Sequence, residues 1–541
     1  MAAQGDRRRL ALVVAASSAG TALEWYDFYL YGSLAVSLTH AFFSGVDETT
    51  GFILDLLVFS AGFATRPLGS LVFGRLGDRW GRKNTFLVTL LIMGASTFAV
   101  GLLPSFAQIG LAAPLILVSL RMTQGLALGG EYGGAAIYVA EHAPIEKRGF
   151  YTSGIQITAT IGLVLSLACA LAVRTWTGEA AFSVWGWRIP FLVSSVLLAG
   201  SLWMRLKLRE SPVFQRMAAA GRTSKAPLKD SITDRRNLGL MLAVLFGLTA
   251  GQGVISYVGQ IYTLLFMEKT LRVPEALSNQ LVAGALIVSA PFYVLFGWLS
   301  DRIGPRKIVF ACMALAMVSY LPLFHGLTTA LNPALDDAMR ARPVTVLAPA
   351  KTCTFQFHPV GKPSVNSPCD VVTGALTKAG ADYTVKVGGH QDAAVMSVGG
   401  VSLTYGPETA RPAFEHETAA ALTKAGYPSA ADPARMNIPA AAFFTIVIEI
   451  FVAMAYAPIS VALVGLFPAR VRYTSMSLPY HLGNGWFGGF LPPMAFALVT
   501  ATGNIYAGMG YPLAIMGMSL VIGAIFLRKP AAVDPEDAAA A

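Results

Sequence analysis

Charge is scarce in this sequence. Only 13% of the 541 residues are Asp, Glu, Lys or Arg, and 55% are hydrophobic, whereas soluble globular domains carry charge on about a quarter of their residues. The mean hydropathy of +0.58 agrees with this imbalance. An ordinary water-soluble protein is therefore excluded, and the sequence predicts an all-α membrane protein.

Residues suited to catalysis or metal binding are also sparse. The chain has four cysteines and seven histidines, and their spacing is not that of a metal site. No nucleophile–base set and no phosphate-binding loop can be found. We therefore expect no enzymatic activity, no bound metal and no cofactor.

Twelve apolar segments are long enough to cross a hydrocarbon core of roughly 30 Å as helices. Numbered along the chain, the predicted membrane helices 1 to 12 cover 12–38, 51–73, 84–103, 109–140, 150–173, 187–206, 237–267, 279–300, 307–330, 439–466, 474–500 and 508–527.

Lys and Arg are concentrated in every second connection between these segments. They are frequent at 75–83, in a linker at 205–236 and at 302–307, and rare in the opposite loops. Because cytoplasmic loops retain positive charge, we predict that both termini are cytoplasmic. The net charge of +10 then reflects topology and contact with anionic lipid, and no nucleic-acid partner is expected.

The first 20 residues permit two interpretations. Three arginines, an apolar stretch and the run AASSAG at 15–20 resemble a signal peptide. However, the apolar pattern continues to residue 38, and Glu24 and Asp27 would directly follow a processing site. We therefore favour a retained first membrane helix.

The chain repeats itself. GRLGDRWGRK at 74–83 follows membrane helix 2, and GWLSDRIGPRK at 297–307 follows membrane helix 8. Two sets of six helices match the parallel-repeat architecture of secondary transporters, whose substrate site lies between the halves. The predicted organisation is a first six-helix bundle at 1–206, a cytoplasmic linker at 207–236, helices 7–9 of a second bundle at 237–330, an insert at 331–438, helices 10–12 at 439–527 and a cytoplasmic tail at 528–541.

The repeated turn motif has the residue types of a gate. Its glycines allow close packing, and Asp78 and Asp301 can each neutralise the positive N-terminal end of a facing helix. Such contacts are weak enough to break in each transport cycle. The predicted gating residues are Gly74, Asp78, Arg79, Gly81, Arg82 and Lys83 in the first copy, and Gly297, Asp301, Arg302, Gly304 and Arg306 in the second.

The insert has no membrane-length apolar segment and is predicted to be a small extracytoplasmic α/β-like domain. Strands are predicted at 344–349, 354–357 and 383–389, and helices ended by glycine at 369–380 and 416–426. ALTKAG occurs twice, which indicates either a duplicated unit or recurrent helix-ending chemistry. Cys353 and Cys369 are predicted to form a disulfide; two free thiols are the alternative.

Four predicted membrane helices carry polar residues at helical spacing along one face, although ionisable side chains are costly within a bilayer. These are helices 1, 4, 7 and 10, which occupy equivalent positions in the two halves. We therefore expect them to line one aqueous cavity. The predicted proton- or substrate-binding residues are Glu24, Asp27, Tyr31, Arg66, Arg121, Gln124, Glu131, Gln252, Gln260 and Glu449.

Asp27 and Arg121 fall at similar depth in membrane helices 1 and 4. Two interpretations remain open for this pair. A proton or an organic anion that enters the cavity would compete with their ion pair. Such competition could couple proton binding to substrate binding. Alternatively, the pair is a permanent bridge between packed helices. The role of Arg66 also remains open between two interpretations, because its side chain can bind an anion or extend to the cytoplasmic interface.

These motifs resemble the major facilitator superfamily, in which GRLGDRWGRK is the signature of the loop between helices 2 and 3. GTALEWYDFYLYG, RMTQGLALGGEYGGA and RESPVF are more closely similar to its metabolite:proton symporter branch, which includes α-ketoglutarate, citrate, shikimate and proline/betaine permeases. The resemblance implies a twelve-helix fold that alternates access by rocking, proton-driven uptake and a bacterial inner membrane. Pro305, Asp55, Glu449 and the insert depart from the branch pattern.

The leading hypothesis is proton-coupled symport of a small organic acid, with a monomer as the transporting unit. The second is symport of a zwitterionic osmolyte, for which Trp25, Tyr26, Tyr257 and Trp486 are candidate cation-binding aromatics. Drug efflux is disfavoured, because membrane helix 5 lacks the glycine–proline pattern of antiporters. A sensor that binds ligand without transporting it is disfavoured by the two intact turn motifs.

Overall fold

The computed structural model describes residues 2–43, 48–349, 353, 367–388 and 392–527. Helices dominate these residues and form two six-helix bundles, with a small α/β insert between membrane helices 9 and 10. The fold class predicted from the sequence is confirmed. We call the end of the bundles that carries the two turn motifs the basic end, and the end that carries the insert the insert end.

The first bundle contains membrane helices 1 to 6. The helices are longer than predicted at the basic end, because the polar residues of the turn motif and of the N-terminus continue the helical backbone. Their bounds are Ala2–Ser33 with Ala35–Phe42, Glu48–Trp80, Arg82–Leu102, Phe106–Ile109 with Ala112–His142, Arg148–Gln156 with Thr158–Thr177, and Glu179–Ala181 with Arg188–Leu206.

The second bundle contains membrane helices 7 to 12. Helix 7 includes three wide π-helical turns, and helix 10 is interrupted at Pro458, whose ring cannot continue the helical hydrogen-bond pattern. The bounds are Arg235–Thr270, Glu275–Ile303, Pro305–Leu331, Ile438–Tyr456 with Ile459–Val464, Arg472–Leu482 with Leu491–Thr502, and Gly510–Phe526.

Among the described residues, 9 helices are long and apolar enough to cross a membrane. The other three predicted spans, membrane helices 1, 2 and 11, are also helical. Helices 1 and 2 carry arginines and acids, and helix 11 is divided by the π-helical turn Gly483–Gly488. All twelve predicted segments are therefore helical in the structure.

The insert forms a four-stranded sheet with two helices. Its strands are β1 (Val344–Ala348), β2 (Tyr383–Val387), β3 (Ala394–Val398) and β4 (Val401–Tyr405), in the order β2-β1-β3-β4. β1 and β2 are parallel, with Val344 opposite Tyr383, while β1–β3 and β3–β4 are antiparallel. The two helices that flank the sheet are Pro368–Lys378 and Arg411–Lys424, and a further helix, Pro333–Ala341, leads into the insert.

The sequence-based prediction of the insert was incomplete. The β3–β4 hairpin was missed, although Gly399-Gly400 between alternating apolar residues is a strong hairpin signal. The strand predicted at 354–357 lies outside the described residues. The two helix-ending glycines were predicted correctly, because Gly380 and Gly426 have φ of 65° and 87°.

The insert is attached to the second bundle. Tyr383 donates its backbone N–H to Gly503 and its hydroxyl to Thr500, at 2.8 and 2.6 Å. Arg272, in the loop after membrane helix 7, donates to the carbonyls of Ser429 and Lys378. Within the described residues, all recorded hydrogen bonds between the insert and the membrane helices go to this bundle.

Membrane helices 2 and 4 pack unusually closely, and this packing positions the arginines of the first bundle. A Cβ atom at Gly125 would collide with the carbonyl of Gly62, and one at Gly129 with the carbonyl of Arg66. Small residues permit such close approach of backbones in membrane proteins. Arg66 and Arg121 are thereby held on adjacent helices that face membrane helix 1.

Candidate functional site

A central cavity lies between the two bundles. Its volume is about 40 Å³, which leaves room for a few water molecules. The first bundle contributes Thr21, Glu24, Trp25, Phe63, Arg66, Tyr132 and Gln156, and the second contributes Ser256, Tyr257, Gln260, Ile261, Tyr456, Tyr480, His481 and Asn484.

The charged wall of the central cavity is formed by Glu24 and Arg66. Glu24 Oε1 lies 3.9 Å from Arg66 Nη2, and both side chains are more than four-fifths buried. Arg66 also lies over the ring of Phe63, 4.5 Å from its centroid. Glu24 Oε2 and Arg66 Nε have no hydrogen-bond partner among the described residues. This long ion pair therefore leaves hydrogen-bonding capacity free in both side chains.

A second, smaller cavity of about 30 Å³ adjoins the first. Glu24, Phe63 and Arg66 line both cavities, and Asp27, Arg121 and Gln124 line only the smaller one, with Gly62, Gly125 and Leu128. The Glu24–Arg66 pair therefore stands between the central cavity and the buried pair on membrane helices 1 and 4.

Asp27 and Arg121 form a compact buried cluster with Gln124. Arg121 Nη1 donates to Asp27 Oδ2 at 2.6 Å and to Gln124 Oε1 at 2.7 Å. Gln124 Nε2 donates to Asp27 Oδ1 at 3.2 Å and to Thr97 at 2.9 Å. The guanidinium of Arg121 lies over Tyr31, 3.7 Å from the ring centroid. The structure thus brings four of the predicted site residues together.

An aromatic layer closes the cavity towards the basic end. Tyr132 of the first bundle and Tyr480 of the second stack with centroids 3.9 Å apart. Tyr480 shares a hydrogen bond of 2.5 Å with Tyr456, and Tyr132 one of 2.7 Å with Ser460. Gln156 donates to both Tyr132 and Ser460. Sequence reasoning missed Tyr480 and Gln156, since neither belongs to a periodic polar face.

The contact that we call the first gate, after its predicted role, lies at the basic end and joins membrane helices 2 and 11. Asp78 accepts the backbone N–H groups of Tyr473 and Thr474, at 3.1 and 2.9 Å. These groups belong to the first turn of the helix that begins at Arg472, where unpaired N–H groups favour an anion. Gly74 faces the same turn, because a Cβ atom there would lie 2.9 Å from Thr474 Cα.

Arg82 anchors the first gate. Its guanidinium, which is fully buried, lies 3.5 Å from Asp78 and 3.6 Å from Glu141, and it donates to the Ala469 carbonyl at 2.8 Å. Glu141 also binds Arg472 at 2.9 Å and accepts the Ser211 hydroxyl. Sequence reasoning missed Glu141, because its partners lie on distant segments.

The linker after membrane helix 6 contributes to this gate. Glu210 accepts the backbone N–H groups of Arg82 and Lys83, and its nearer oxygen lies 3.1 Å from each nitrogen. Burial raises the pKa of the Glu210 carboxyl, and the N–H groups that it accepts oppose that shift. Gly81 has φ of 105° and adjoins Glu210. Arg79, the remaining motif residue, is exposed.

The second gate repeats the main contact in the other half. Asp301 accepts the backbone N–H groups of Gly149 and Phe150, at 2.6 and 2.8 Å, in the first turn of the helix that begins at Arg148. Gly297 packs against Gly149, whose carbonyl a Cβ atom would meet at 2.6 Å. The expected contact of each motif aspartate with a facing helix end is therefore present in both halves.

The rest of the second motif differs from the first. Arg302 lies over Trp298, 3.9 Å from the ring centroid, and Arg306 donates to the Leu527 carbonyl at 2.6 Å. Gly304 makes the turn with φ of 96°. Pro305, which stands where the first copy has Arg82, begins membrane helix 9 and provides no guanidinium.

Four predicted site residues lie outside the lining of the two cavities, and one of them, Tyr31, lies against the guanidinium of Arg121. Glu131 forms an ion pair of 3.1 Å with Arg205, inside the first bundle. Gln252 donates to Ser256 at 2.9 Å and accepts from Asn484 at 3.0 Å, so it supports two residues of the cavity wall. Glu449 is buried within the second bundle.

The two cysteines of the insert are bonded to each other. Cys353 and Cys369 form a disulfide with Cα atoms 5.0 Å apart, while Cys169 and Cys312 are free. The disulfide ties the chain before the helix Pro368–Lys378 to that helix. Among the described residues, no group of three or more His, Cys, Asp or Glu has the arrangement of a metal site.

Comparison with known proteins finds a transporter family and several transporters that this chain resembles. Residues 12–233 match a family described as Sugar (and other) transporter. The chain is 36% identical to the Shikimate transporter of Escherichia coli (strain K12) over 326 residues, which are 59% of this chain and 72% of that one. It is 35% identical to the Proline/betaine transporter of the same organism over 328 residues, 59% of this chain and 65% of that one.

Solved structures share the fold. A structure of the major facilitator superfamily proton:xylose symporter XylE bound to 6-bromo-6-deoxy-D-glucose aligns with a TM-score of 0.60 over 99% of both chains, at 14% identity. A partially occluded inward open form of the xylose transporter XylE from E. coli aligns with a TM-score of 0.56 over 96% of this chain and 100% of that one, at 13% identity. At these identities the likeness concerns the fold. Together with the relatives, it shows that the chain belongs to the major facilitator superfamily of transporters, among the relatives of shikimate and proline/betaine transporters.

Proposed function

We propose that the chain imports a small organic acid together with protons by alternating access across the bacterial inner membrane. One observation carries this proposal. The buried Asp27–Arg121 pair connects, through a small cavity, to the Glu24–Arg66 pair that faces the central cavity. The proposed proton site and anion site are thereby neighbours, so that occupancy of one can change the affinity of the other.

Arg66 is the proposed anchor for the substrate carboxylate. Its distance of 3.9 Å from Glu24 is long for a charge-assisted hydrogen bond, which measures about 2.7–2.9 Å. A bound carboxylate can take up the free capacity of the guanidinium with shorter contacts. Gln260, Ser256 and Asn484 line the opposite wall, where they can bind hydroxyl or carbonyl groups of the substrate.

Asp27 is the proposed carrier of the coupled proton. In the ionised form its carboxylate holds Arg121 at 2.6 Å. Protonation of Asp27 removes this ion pair and leaves Arg121 as an uncompensated buried cation, which then favours an anion in the adjoining cavity. Proton binding and carboxylate binding therefore stabilise each other, and the coupling is reciprocal.

The two gates and the aromatic layer are proposed to control release. All three join the first bundle to the second on the basic side of the cavity. Separation of the bundles at that end requires these contacts to break. Their hydrogen bonds are individually worth a few kcal/mol at most, which suits contacts that open and close in each cycle.

We propose that the basic end faces the cytoplasm and that the insert lies outside. The distribution of Lys and Arg supports this orientation through the positive-inside rule. The Cys353–Cys369 disulfide also supports it, because disulfides persist in oxidising compartments. Both termini are then cytoplasmic, and the monomer is the proposed transport unit.

Uptake into proteoliposomes tests the proposal. Radiolabelled shikimate, α-ketoglutarate, citrate, proline and glycine betaine are the probes, with an imposed proton gradient and with a protonophore. We expect accumulation of an organic acid that the protonophore abolishes. Asp27→Asn should lose accumulation but keep exchange, and Arg66→Ala should lose binding of the acid.

Glu179→Gln is the matched control, because Glu179 is exposed at the periphery of the first bundle, where its side chain is 72% exposed. It should transport like the unaltered protein. Normal accumulation by Asp27→Asn would contradict the proton assignment, and uptake that does not respond to the protonophore would contradict symport.

A zwitterionic osmolyte is the alternative substrate class. Trp25 and Tyr257 line the central cavity beside Glu24, and aromatic faces with a nearby carboxylate can bind a quaternary ammonium group. Of the other two candidate aromatics, Tyr26 donates to the Pro190 carbonyl within the first bundle and Trp486 is 53% exposed. Uptake of glycine betaine but not of acids, lost in Trp25→Ala, would favour this alternative.

A further inference from the structure

A single carboxyl group lies fully buried in the second bundle. Glu449, on membrane helix 10, has 0% of its side-chain surface exposed. Neither of its carboxylate oxygens has a hydrogen-bond partner among the described residues, and no ion pair to Glu449 is found there. An ionised carboxylate in such surroundings is very unfavourable.

The groups that surround Glu449 carry no charge. Tyr293 of membrane helix 8 packs with Ala453 of membrane helix 10. The ring centroid of Tyr320, on membrane helix 9, lies 5.9 Å from that of Phe451 on helix 10. Cys312 of membrane helix 9 donates to the carbonyl of Phe451, two residues along helix 10. These neighbours can accommodate a neutral acid, but none of them compensates a carboxylate.

Glu449 nevertheless adjoins the transport path. A Cβ atom at Gly259 of membrane helix 7 would lie 3.1 Å from Glu449 Oε1 and would overlap Val452. The next residue, Gln260, lines the central cavity. Both lie in the π-helical turn Val258–Tyr262, and such turns are frequent at functional sites. One turn of helix 7 therefore faces the carboxyl on one side and the cavity on the other.

The carboxyl also lies near the boundary between the bundles. Tyr29 of membrane helix 1, in the first bundle, packs against the apolar core that includes Ile448 and Val452, the neighbours of Glu449 on membrane helix 10. Movement of one bundle relative to the other therefore changes the surroundings of this group. In the closed arrangement described here it is shielded from water, and separation of the bundles near Tyr29 and Gly259 would admit water to it.

We propose that Glu449 is a second proton-binding site of the transport cycle, in addition to Asp27; this inference rests on the proposed proton-coupled function. The carboxylic acid forms when the O–H bond is made with a proton taken from water in the open cavity. When the bundles separate towards the other side, the same O–H bond breaks, the proton passes to water and the carboxylate is hydrated. Each cycle thus carries one proton on Glu449.

Infrared spectroscopy on the purified full-length protein tests the protonation directly and needs no substrate. The C=O stretch of a protonated carboxyl group differs from the bands of a carboxylate. The difference between the unaltered protein and Glu449→Gln at neutral pH should contain this C=O band, which Glu179→Gln should leave in place. If the difference contains only carboxylate bands, Glu449 is ionised and the proposal is wrong.

The proton-to-substrate ratio tests the role in transport. In proteoliposomes, with whichever of shikimate, α-ketoglutarate, citrate, proline or glycine betaine is accumulated, Glu449→Gln should move one proton fewer per substrate. Glu449→Gln should still accumulate substrate through the proton on Asp27. Asp27→Asn should lose accumulation, because only the Asp27 proton changes the charge that Arg121 presents to the substrate. An unchanged ratio in Glu449→Gln would overturn the inference while leaving the proposed function intact; absence of proton coupling in the unaltered protein would overturn the proposed function first.

Gly259→Ala provides a second variant that keeps the acid. The added methyl group must displace Val452 and crowd the carboxyl. If Glu449 exchanges protons in the cycle, we expect a shift in the pH dependence of transport that Glu449→Gln abolishes. If Glu449→Gln does not fold, the infrared pH titration of Gly259→Ala against the unaltered protein decides the question: an unchanged C=O band would count against the inference.

Discussion

The two bundles share one architecture but differ in their interior charge. In the first bundle the acids face arginines: Glu24 with Arg66, Asp27 with Arg121 and Glu131 with Arg205. In the second bundle, Glu449 has no cationic partner among the described residues. The two halves therefore repeat the arrangement of helices without repeating the buried ion pairs. The first half contains paired charges, and the second supplies mainly neutral polar groups to the cavity.

The two gates show the same difference. Asp78 and Asp301 each accept two backbone N–H groups from the first turn of a helix in the other half. Around Asp78, however, Arg82 links Glu141 and the Ala469 carbonyl, whereas Pro305 removes the corresponding guanidinium beside Asp301. The backbone contact is common to both gates, and the ion network belongs to the first alone.

The largest effect on stability is expected from variants that test the difference in charge between the two bundle interiors. Glu131→Gln leaves Arg205 buried without its counter-ion, and loss of one partner of a buried pair costs about 3–5 kcal/mol. Glu449→Gln replaces a neutral acid by an amide of the same shape and should cost less than about 1 kcal/mol. Thermal unfolding in detergent micelles compares the two variants.

The double variant Glu131→Gln with Arg205→Met is the control for this comparison. It removes both charges, so we expect it to recover part of the lost stability. Equal destabilisation by Glu131→Gln and Glu449→Gln would contradict the contrast between the bundles.

An intermediate effect distinguishes the two gates. Asp78→Asn replaces one of the two accepting oxygens by an NH2 group and removes a counter-charge of the buried Arg82. The closed basic end should therefore lose about 3 kcal/mol. Asp301→Asn removes only the charge-assisted hydrogen bonds and should cost about 1–2 kcal/mol. Distances between spin labels at exposed positions 146 and 470 report the population that is open at this end.

Asp337→Asn, on the insert, is the matched control for these variants, because the Asp337 side chain is 75% exposed. The label distances should not change in it. A larger opening in Asp301→Asn than in Asp78→Asn would reverse the order of the two gates.

The smallest effect on the closed state is expected when a guanidinium is introduced into the second motif, at the position where the first motif has Arg82. Pro305→Arg places an arginine four residues after Asp301, and such helical pairs contribute about 0.3–0.5 kcal/mol. Loss of the proline from the first helical turn offsets part of this gain. The same label distances should therefore change little. A strong shift towards the closed state would show that one residue accounts for the difference between the gates.

Much of the fold was predictable because it depends on local patterns. Apolar length identifies the membrane helices, and glycines at 81 and 304 mark the tight turns of the two motifs. The roles of Asp78 and Asp301 were also predictable in kind, because an acid in a basic turn has few partners other than a helix end. Pairing of Asp27 with Arg121 followed from their similar depth.

The remaining site residues depend on contacts between distant segments. Glu131 has the spacing of a cavity residue, but it forms an ion pair inside the bundle with Arg205, at the end of membrane helix 6. Tyr480 joins the aromatic layer because Tyr132 of the other half lies opposite it. The π-helical turn Val258–Tyr262 rotates the face of helix 7, so that periodicity alone misassigns Gln252 to the cavity.

The attachment of the insert has a practical consequence. Hydrogen bonds of Tyr383 and Arg272 attach this domain to the second bundle. It should therefore rotate with that bundle as a rigid body. An antibody fragment or a fluorophore on the sheet would report the rocking of one half from outside the bilayer. It would also add recognisable mass for particle alignment in electron microscopy, without altering a residue along the translocation route.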